Sequence, residues 1–381
     1  PSYVGLAVLP KADDLKITKT DHGVLLTRDG GLQIASDQDF TTAGQGLESG
    51  HPTDTASSPN DPAQKTVSRI YDFKDWQVGD KKSLSENQRM IMSAMGNQTD
   101  AKKAEGLIGL AKLALSFNYA PEAIGYLELA ESYVPEIESN PEFMALMAAA
   151  EALSWKQKEA YQIFSNAALN DVAEVPYWKA FTLAKLDDWQ QAAKILPADP
   201  SIVDSYSDDV KIPFGLTLVE IALREGNLEK AKSYLDMLEP LREHMDLPYA
   251  SAYDYLLGEL DRQTKKPEEA KEIWKSLVDG NDDLYRAKAR FAMTMMQLDS
   301  KEITQDKAVD SLEGLRYAWR GDDLEVSINY NLAKIYLKSN EPVKALTMMQ
   351  LAHSLNPSSD QGKKIDDDMH SAFKDLFTPE K

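Results

Sequence analysis

Five histidines are the residues best suited to acid–base or metal chemistry in this chain: His22, His51, His244, His353 and His370. None lies in a His-Glu-x-x-His pair, and none accompanies a nucleophile motif that an imidazole would serve. Asp366 and His370 are four apart, so on a helix they share a face and can touch one metal ion. The run Asp366-Asp367-Asp368 around them reads instead as an ordinary solvated surface. There is no cysteine, which removes disulfide frameworks, thiolate metal sites and cysteine nucleophiles. The stretch GLIGLAK at 106–112 lacks the spacing and the Lys-Ser/Thr end of a phosphate loop; it reads as a small-residue seam between packed helices. Gly280-Asn281-Asp282-Asp283 reads as a helix stop followed by an N-cap. Arg320-Gly321-Asp322 spells an adhesion tripeptide, but a Gly that ends one helix and an Asp that caps the next account for it. Met293, Met295 and Met296 can form a pliable binding surface; with Phe291 and Leu298 at compatible spacing they read as helix core. The chain is therefore read as non-catalytic, with no cofactor and no metal.

The charge balance narrows the partners. Sixty-two acidic and 42 basic residues give a net charge of −20. Binding along a phosphate backbone needs clustered Lys and Arg, and no basic stripe is present, so nucleic acid and anionic membrane surfaces are not expected partners. The acidic excess reads as a solubilising surface. No apolar run is long enough for a transmembrane helix. A cysteine-free chain of this length suits an oxidising compartment such as the bacterial periplasm; the alternative is a cytoplasmic protein that lacks cysteine by chance. The first residue, Pro1, predicts a processed or trimmed chain.

The elements that would position any site change character along the chain. Residues 1–40 are expected to form a small β-strand segment. Leu15 and Ile17 alternate with polar neighbours, Val24–Leu26 is a second apolar run, and Leu32 and Ile34 resume the alternation. Residues 41–66, rich in Gly, Ser, Thr, Pro and Asp, are read as a flexible linker. Residues 67–100 form an N-terminal extension and capping helix. There Ile70, Tyr71, Phe73 and Trp76 are laid against the first helices, and Ser83-Leu84-Ser85-Glu86 fits a capping box. Residues 101–357 are helical repeats, and 358–381 are a C-terminal capping helix and tail.

The repeats have a measurable period. An alanine recurs shortly after a polar turn at Ala123, Ala160, Ala192, Ala231, Ala270, Ala308 and Ala345, at intervals between 32 and 39 residues. Two helices per unit at this period predict a mainly α fold: an α–α superhelical solenoid of about seven degenerate helix-turn-helix repeats. The third unit has a shortened second helix ending near Leu196, and the sixth a longer loop around Asp299–Asp306.

In the last unit Leu332, Ala333, Tyr336, Ala345, Met349, Ala352 and Pro357 fill a recognisable pattern; Leu110, Ala111, Ala123, Leu127, Ala130 and Pro135 do so in the first, with Ala114 where an aromatic is expected. In the fifth, Leu257, Gly258, Ala270 and Trp274 occupy the same places. This pattern resembles the tetratricopeptide repeat. The order of β segment, linker and divergent repeats is more loosely similar to large envelope repeat proteins of Gram-negative bacteria, which implies a periplasmic or cell-envelope location.

The resemblance implies a protein–protein interaction scaffold that grips a protein or peptide on its concave face, lined by the first helices. Carried over residue by residue, the inner-face candidates are Tyr177 and Phe181, Tyr255 and Glu259, and Tyr330 and Lys334. Each either meets a partner or packs against the adjacent helix. The Lys and Asn pairs with which some relatives clamp a C-terminal carboxylate are not evident. Alternatives are an accessory superhelical region of a peptidoglycan-degrading enzyme, or a cytosolic adaptor. The N-terminal β segment, too small to hold a core alone, is a candidate second contact surface.

Overall fold

The computed structural model describes residues 16–20, 23–27 and 69–376. The chain divides into two units, Pro1–Thr66 and Val67–Lys381. In the first, β1 (Lys16–Thr20) and β2 (Gly23–Thr27) pair antiparallel, with Ile17 opposite Leu26 and Thr20 opposite Gly23. The strand expected around Leu32 and Ile34 and the linker at 41–66 lie outside the described residues, as do His22 and His51.

The second unit is helical. A four-residue turn, α1 (Phe73–Trp76), and α2 (Leu84–Met95) precede seven helix pairs. These are α3 (Asp100–Ser116) with α4 (Ala120–Tyr133), α5 (Pro141–Leu153) with α6 (Gln157–Phe164), and α7 (Val175–Lys185) with α8 (Trp189–Ile195). After the short α9 (Ser201–Asp204) come α10 (Asp208–Glu225) with α11 (Leu228–Leu238), and α12 (Leu247–Gln263) with α13 (Pro267–Val278). The last pairs are α14 (Asp283–Asp299) with α15 (Gln305–Ala318), and α16 (Asp322–Lys338) with α17 (Pro342–Leu355). The last described helix is α18 (Asp360–Leu376), packed on α17. The described residues of this unit form a helix-turn-helix solenoid.

One local rule builds every pair. The recurrent alanine is the fourth residue of each second helix, and all seven are fully buried. A methyl group is the largest side chain that lets the two helices of a pair approach at this point. In six of the seven pairs the first helix ends on a left-handed residue: Asn118, Asp187, Gly226, Lys265, Lys301 or Asn340. At each, backbone N–H groups reach back to carbonyls of the last turn, as Tyr119 N does to Ala114 O (2.9 Å) and Glu341 N to Tyr336 O (2.8 Å). This Schellman closure reverses the chain within two to five residues. Only one of the six positions is glycine. Starts are set by prolines in the first turn, as in α4, α5, α13 and α17. Side-chain caps add to them, such as Asn140, Asn227 and Asp282.

Two start signals differ from the expectation. Ser83 does not cap α2; its hydroxyl accepts from Asp80 N (3.0 Å) and donates to Asp80 O (2.8 Å), so a preceding turn competes for it. Gly321, at φ 96°, is the N-cap residue of α16 rather than the end of the helix before it. Its N–H donates to Glu325 Oε2 at 2.6 Å. The GLIGLAK stretch does form a close seam: a Cβ on Gly106 would lie 2.5 Å from Met95 Sδ.

The array coils tightly. Ser207 Oγ, before α10, donates to Ser116 O at the end of α3 (2.6 Å), joining unit 4 to unit 1. Arg224 Nη2 of α10 lies 3.9 Å from Asp323 Oδ2 of α16, joining unit 4 to unit 7. Helices pack at about 8–10 Å, so units three apart meet only if their first helices bend around a common inner face. The buried core runs without a break from Tyr71 to Leu260. A second cluster spans Ala287 to Ile365, and Trp274 with Ala270, Leu277 and Ala289 stands between them. Met293 and Met296 pack half-buried on that middle cluster and Met295 on the last one.

Candidate functional site: the inner face

The first helices carry the inner face, and its two halves are furnished differently. In the front half, between units 1 and 4, the chain's own residues 69–77 run across the inner face. Tyr71 and Phe73 are fully buried there. Their rings stack at 5.4 Å; Tyr71 also lies 5.1 Å from Trp178, and Phe73 lies 4.8 Å from Tyr206. Trp178 and Phe214 (4.6 Å), then Phe214 and Phe181 (4.7 Å), continue the aromatic layer into α10. The Tyr71 hydroxyl donates to Ala145 O on α5 (2.6 Å). Gln77 Nε2 donates to Asp209 Oδ2 (2.9 Å), and the Lys112 ammonium sits over the Trp76 ring at 5.4 Å.

Glu174, fully buried at the start of α7, anchors this segment. Its Oε1 accepts from Arg69 Nε (3.3 Å), Ile70 N (3.3 Å) and Tyr71 N (3.5 Å). Among the described residues its Oε2 has no hydrogen-bond partner. Arg69 divides its guanidinium, giving Nη2 to Ser205 Oγ at 2.6 Å. Burial, with Tyr206 and Glu174 nearby, pushes the Tyr71 hydroxyl well above the ordinary tyrosine range.

In the rear half the inner face forms an open cavity of about 460 Å³, lined from α7, α8, α10, α12, α14 and α16. A second cavity of about 400 Å³ shares Lys185, Glu220, Tyr255 and Lys288 with it and reaches Tyr285. Arg224 donates from Nε (3.0 Å) and Nη2 (2.8 Å) to Glu220 Oε1, and its guanidinium lies 3.8 Å from the centre of the Trp189 ring. The Lys288 ammonium stands over the rings of Tyr285 (5.2 Å) and Tyr255 (5.9 Å), and that of Lys185 over Phe181 (5.2 Å). These are cation–π contacts. Among the described residues neither lysine has a carboxylate within ion-pair distance.

The charges in the cavity feel one another. Burial pushes the Glu220 carboxyl up, but Arg224, Lys288 and Lys185 outweigh it and hold it below the usual carboxylate range. Lys185 is reached by solvent at the cavity mouth yet surrounded by protein. That dehydration, with Lys288 adding to it and Glu220 opposing, holds its amine below the usual lysine range.

The six residues expected from the sequence do not converge. Tyr177 is 4% exposed and donates to Asp199 O (2.7 Å); Phe181 is 4% exposed within the front aromatic layer. Tyr330 is 5% exposed and hydrogen-bonds Asp368 of α18, with the Lys334 ammonium 4.3 Å from its ring centre. Lys334 lines a separate cavity between α16, α17 and α18. Glu259 pairs with Arg262 on its own helix (2.6 Å) and accepts from Gln263 (2.7 Å). Only Tyr255 lines the rear cavity. Asp366 and His370, weighed as a metal pair, are exposed and 3.4 Å apart on α18. No group of three or more acidic or histidine side chains poised for a metal occurs among the described residues.

Sequence reasoning missed Lys185, Glu220, Arg224 and Lys288. A signal existed. Tyr177, Tyr255 and Tyr330 lie fifteen residues before their unit's buried alanine; Phe181, Glu220, Glu259 and Lys334 lie eleven before it, and Lys185 and Arg224 seven before it. Positions four apart share a helix face, so one more turn of the same stripe reaches Lys185 and Arg224; Lys288 lies off it.

No protein-family model matches the chain, and none of the curated proteins does. Solved structures give remote likenesses. A tetratricopeptide repeat protein from Parabacteroides merdae is 13% identical, with a TM-score of 0.47, over 71% of this chain and 99% of that one. Pseudomonas aeruginosa pilF is 16% identical, with a TM-score of 0.32, over 71% of this chain and 100% of that one. The Cut9–Hcn1 hetero-tetramer of the APC/C is 13% identical, with a TM-score of 0.33, over 78% of this chain and 47% of that one. Likenesses this remote say nothing of partner, site or location. The solenoid stands on the seven helix pairs themselves. No helix among the described residues is long and apolar enough to cross a membrane.

Proposed function

We propose that the protein is a non-catalytic scaffold that holds an extended segment of a partner protein on the rear inner face, between units 3 and 7. One observation carries the reading. The front inner face, built from the same repeat, already holds a segment of nine residues, Arg69–Gln77, through rings, backbone donors and a buried carboxylate. The rear face is likewise walled by first helices but presents a cavity of about 460 Å³ lined by Lys185, Arg224, Lys288 and Tyr255. Two lysines that stand over rings rather than carboxylates suit a segment with acidic side chains or free carbonyls.

Crosslinking in the native cell tests this. The Lys185→Glu, Lys288→Glu double variant should lose the crosslinked partner at least roughly tenfold, which corresponds to about 1.4 kcal/mol of binding, while its helical circular dichroism is unchanged. Tyr255→Ala should weaken capture less. Equal recovery from all three chains would sink the rear-face assignment. A location in the cell envelope belongs to the same proposal and is supported by sequence composition and segment order. A secretion signal upstream of Pro1 in the full gene would support it, and cytoplasmic fractionation would refute it. The N-terminal unit, Pro1–Thr66, is proposed as a second contact surface, and its deletion should remove a different set of crosslinks.

A further inference from the structure

The front segment is held in a manner that leaves one demand unmet. Glu174 is fully buried, yet among the described residues its Oε2 has no donor, and the three donors to its Oε1 stand at 3.3–3.5 Å. A buried carboxylate oxygen without a partner is costly. Arg69 reaches Glu174 with one nitrogen only, because Ser205 takes the other. The aromatic half of the contact is saturated: Tyr71 and Phe73 are fully buried among Trp178, Tyr206 and Phe214. The segment is short: four non-helical residues, Arg69–Asp72, lead into one helical turn, Phe73–Trp76, and it is fixed by the side chains of Arg69, Tyr71 and Phe73, placed two apart.

We propose that the front inner face is an exchangeable binding site, that Arg69–Gln77 is its ligand supplied from within the chain, and that a partner segment of the same chemistry takes its place. That chemistry is a guanidinium two residues before the first of two aromatics that are themselves two apart, in the manner of Arg69, Tyr71 and Phe73. A partner whose guanidinium meets both Glu174 oxygens side by side satisfies the acceptor that the resident segment leaves bare. The proposal rests on the inner face being a segment-binding surface, but it concerns the front half alone. Its failure leaves the rear-face test unaffected.

The test uses the full chain and a fluorescent peptide with the sequence of residues 67–79. In the Tyr71→Ser, Phe73→Ser double variant the resident segment loses both ring contacts. The expected result is saturable binding of the peptide, at least roughly a hundredfold tighter than to the wild-type chain, whose site is filled from within. Binding should be competed by unlabelled peptide, not by a peptide carrying the same two serines, and Glu174→Ala added to the variant should abolish it. In the wild-type chain, amides of residues 70–77 should exchange hydrogen faster than those of α7 and α10 around them. Three results overturn the proposal. The double variant loses its helical signal, which makes the segment part of the fold; the folded variant fails to bind; or wild type and variant bind equally, which places the peptide elsewhere.

Discussion

The two halves of the inner face use one backbone plan with opposite contents. Ser116 with Ser207 closes units 1 to 4, and Arg224 with Asp323 spans units 4 to 7 in the same way. In front, the enclosed space is filled by rings and sealed into a core that is continuous from Tyr71 to Leu260. Behind, it is polar, and the core breaks into two clusters on either side of α14, whose only buried residues are Ala287, Ala289 and Thr294. A repeat fixes where side chains are presented; it does not fix whether they meet each other or something else. Stability is therefore expected to concentrate in the front and ligand sensitivity in the rear.

That contrast can be broken by measurement. Trp178→Ala should cost about 3–5 kcal/mol, because it removes a fully buried ring and leaves the Tyr206 hydroxyl without the Trp178 Nε1 donor at 3.1 Å. Trp274→Ala, also fully buried but within a four-residue cluster, should cost less in parallel urea titrations. Equal losses would remove the energetic difference between the halves. Gly258→Ala comes next, at about 1–3 kcal/mol, because the new Cβ would lie 2.4 Å from Trp274 Nε1. Its melting temperature should fall, and Trp274→Leu should restore part of it.

Alkaline pH gives a smaller effect that favours one side. Burial, then Asp199 and Glu174, push the Tyr177 hydroxyl up to about 12. A raised folded-state value means that the fold prefers the neutral phenol. That contribution is complete below the unfolded value of about 10 and is lost as pH rises toward about 12. Tyrosinate absorbance and helicity followed together should therefore show Tyr177→Phe resisting the loss in this window. An identical alkaline profile for the variant would remove Tyr177 from the account. The smallest expected change is Lys344→Ala on the exposed start of α17, whose pairing with Glu341 is solvent-screened. Its melting temperature should not move measurably, and a clear drop would mean that surface charge holds the rear together.

Much of the fold was legible because it is written in side-chain size. The seven alanines mark seven fully buried fourth positions, and the shortened third unit ends its second helix at Ile195, beside the expected Leu196. Turns were harder to read because left-handed residues are expected to be Gly, whereas Asn118, Asp187, Lys265, Lys301 and Asn340 take that conformation here. Their backbone closures, not their side chains, make the turn. The rear site was missed for a different reason. Lys185, Arg224 and Lys288 read as solvated charge on amphipathic helices, and only curvature brings them to one cavity. Of the tyrosines at the expected stripe positions, Tyr255 lines the rear cavity, while Tyr177 and Tyr330 are taken up by Asp199 and by Asp368 of α18.

The covalent attachment of Arg69–Gln77 to the solenoid sets a threshold for any competitor. A segment joined to its site by a few residues is presented at an effective concentration on the order of mM. A free segment of equal intrinsic affinity, at on the order of 1 µM, would hold roughly one site in a thousand. The front face is thus silent toward weak and passing contacts. It answers only a partner that makes a better match to Glu174, or one already held nearby by another part of the same molecule.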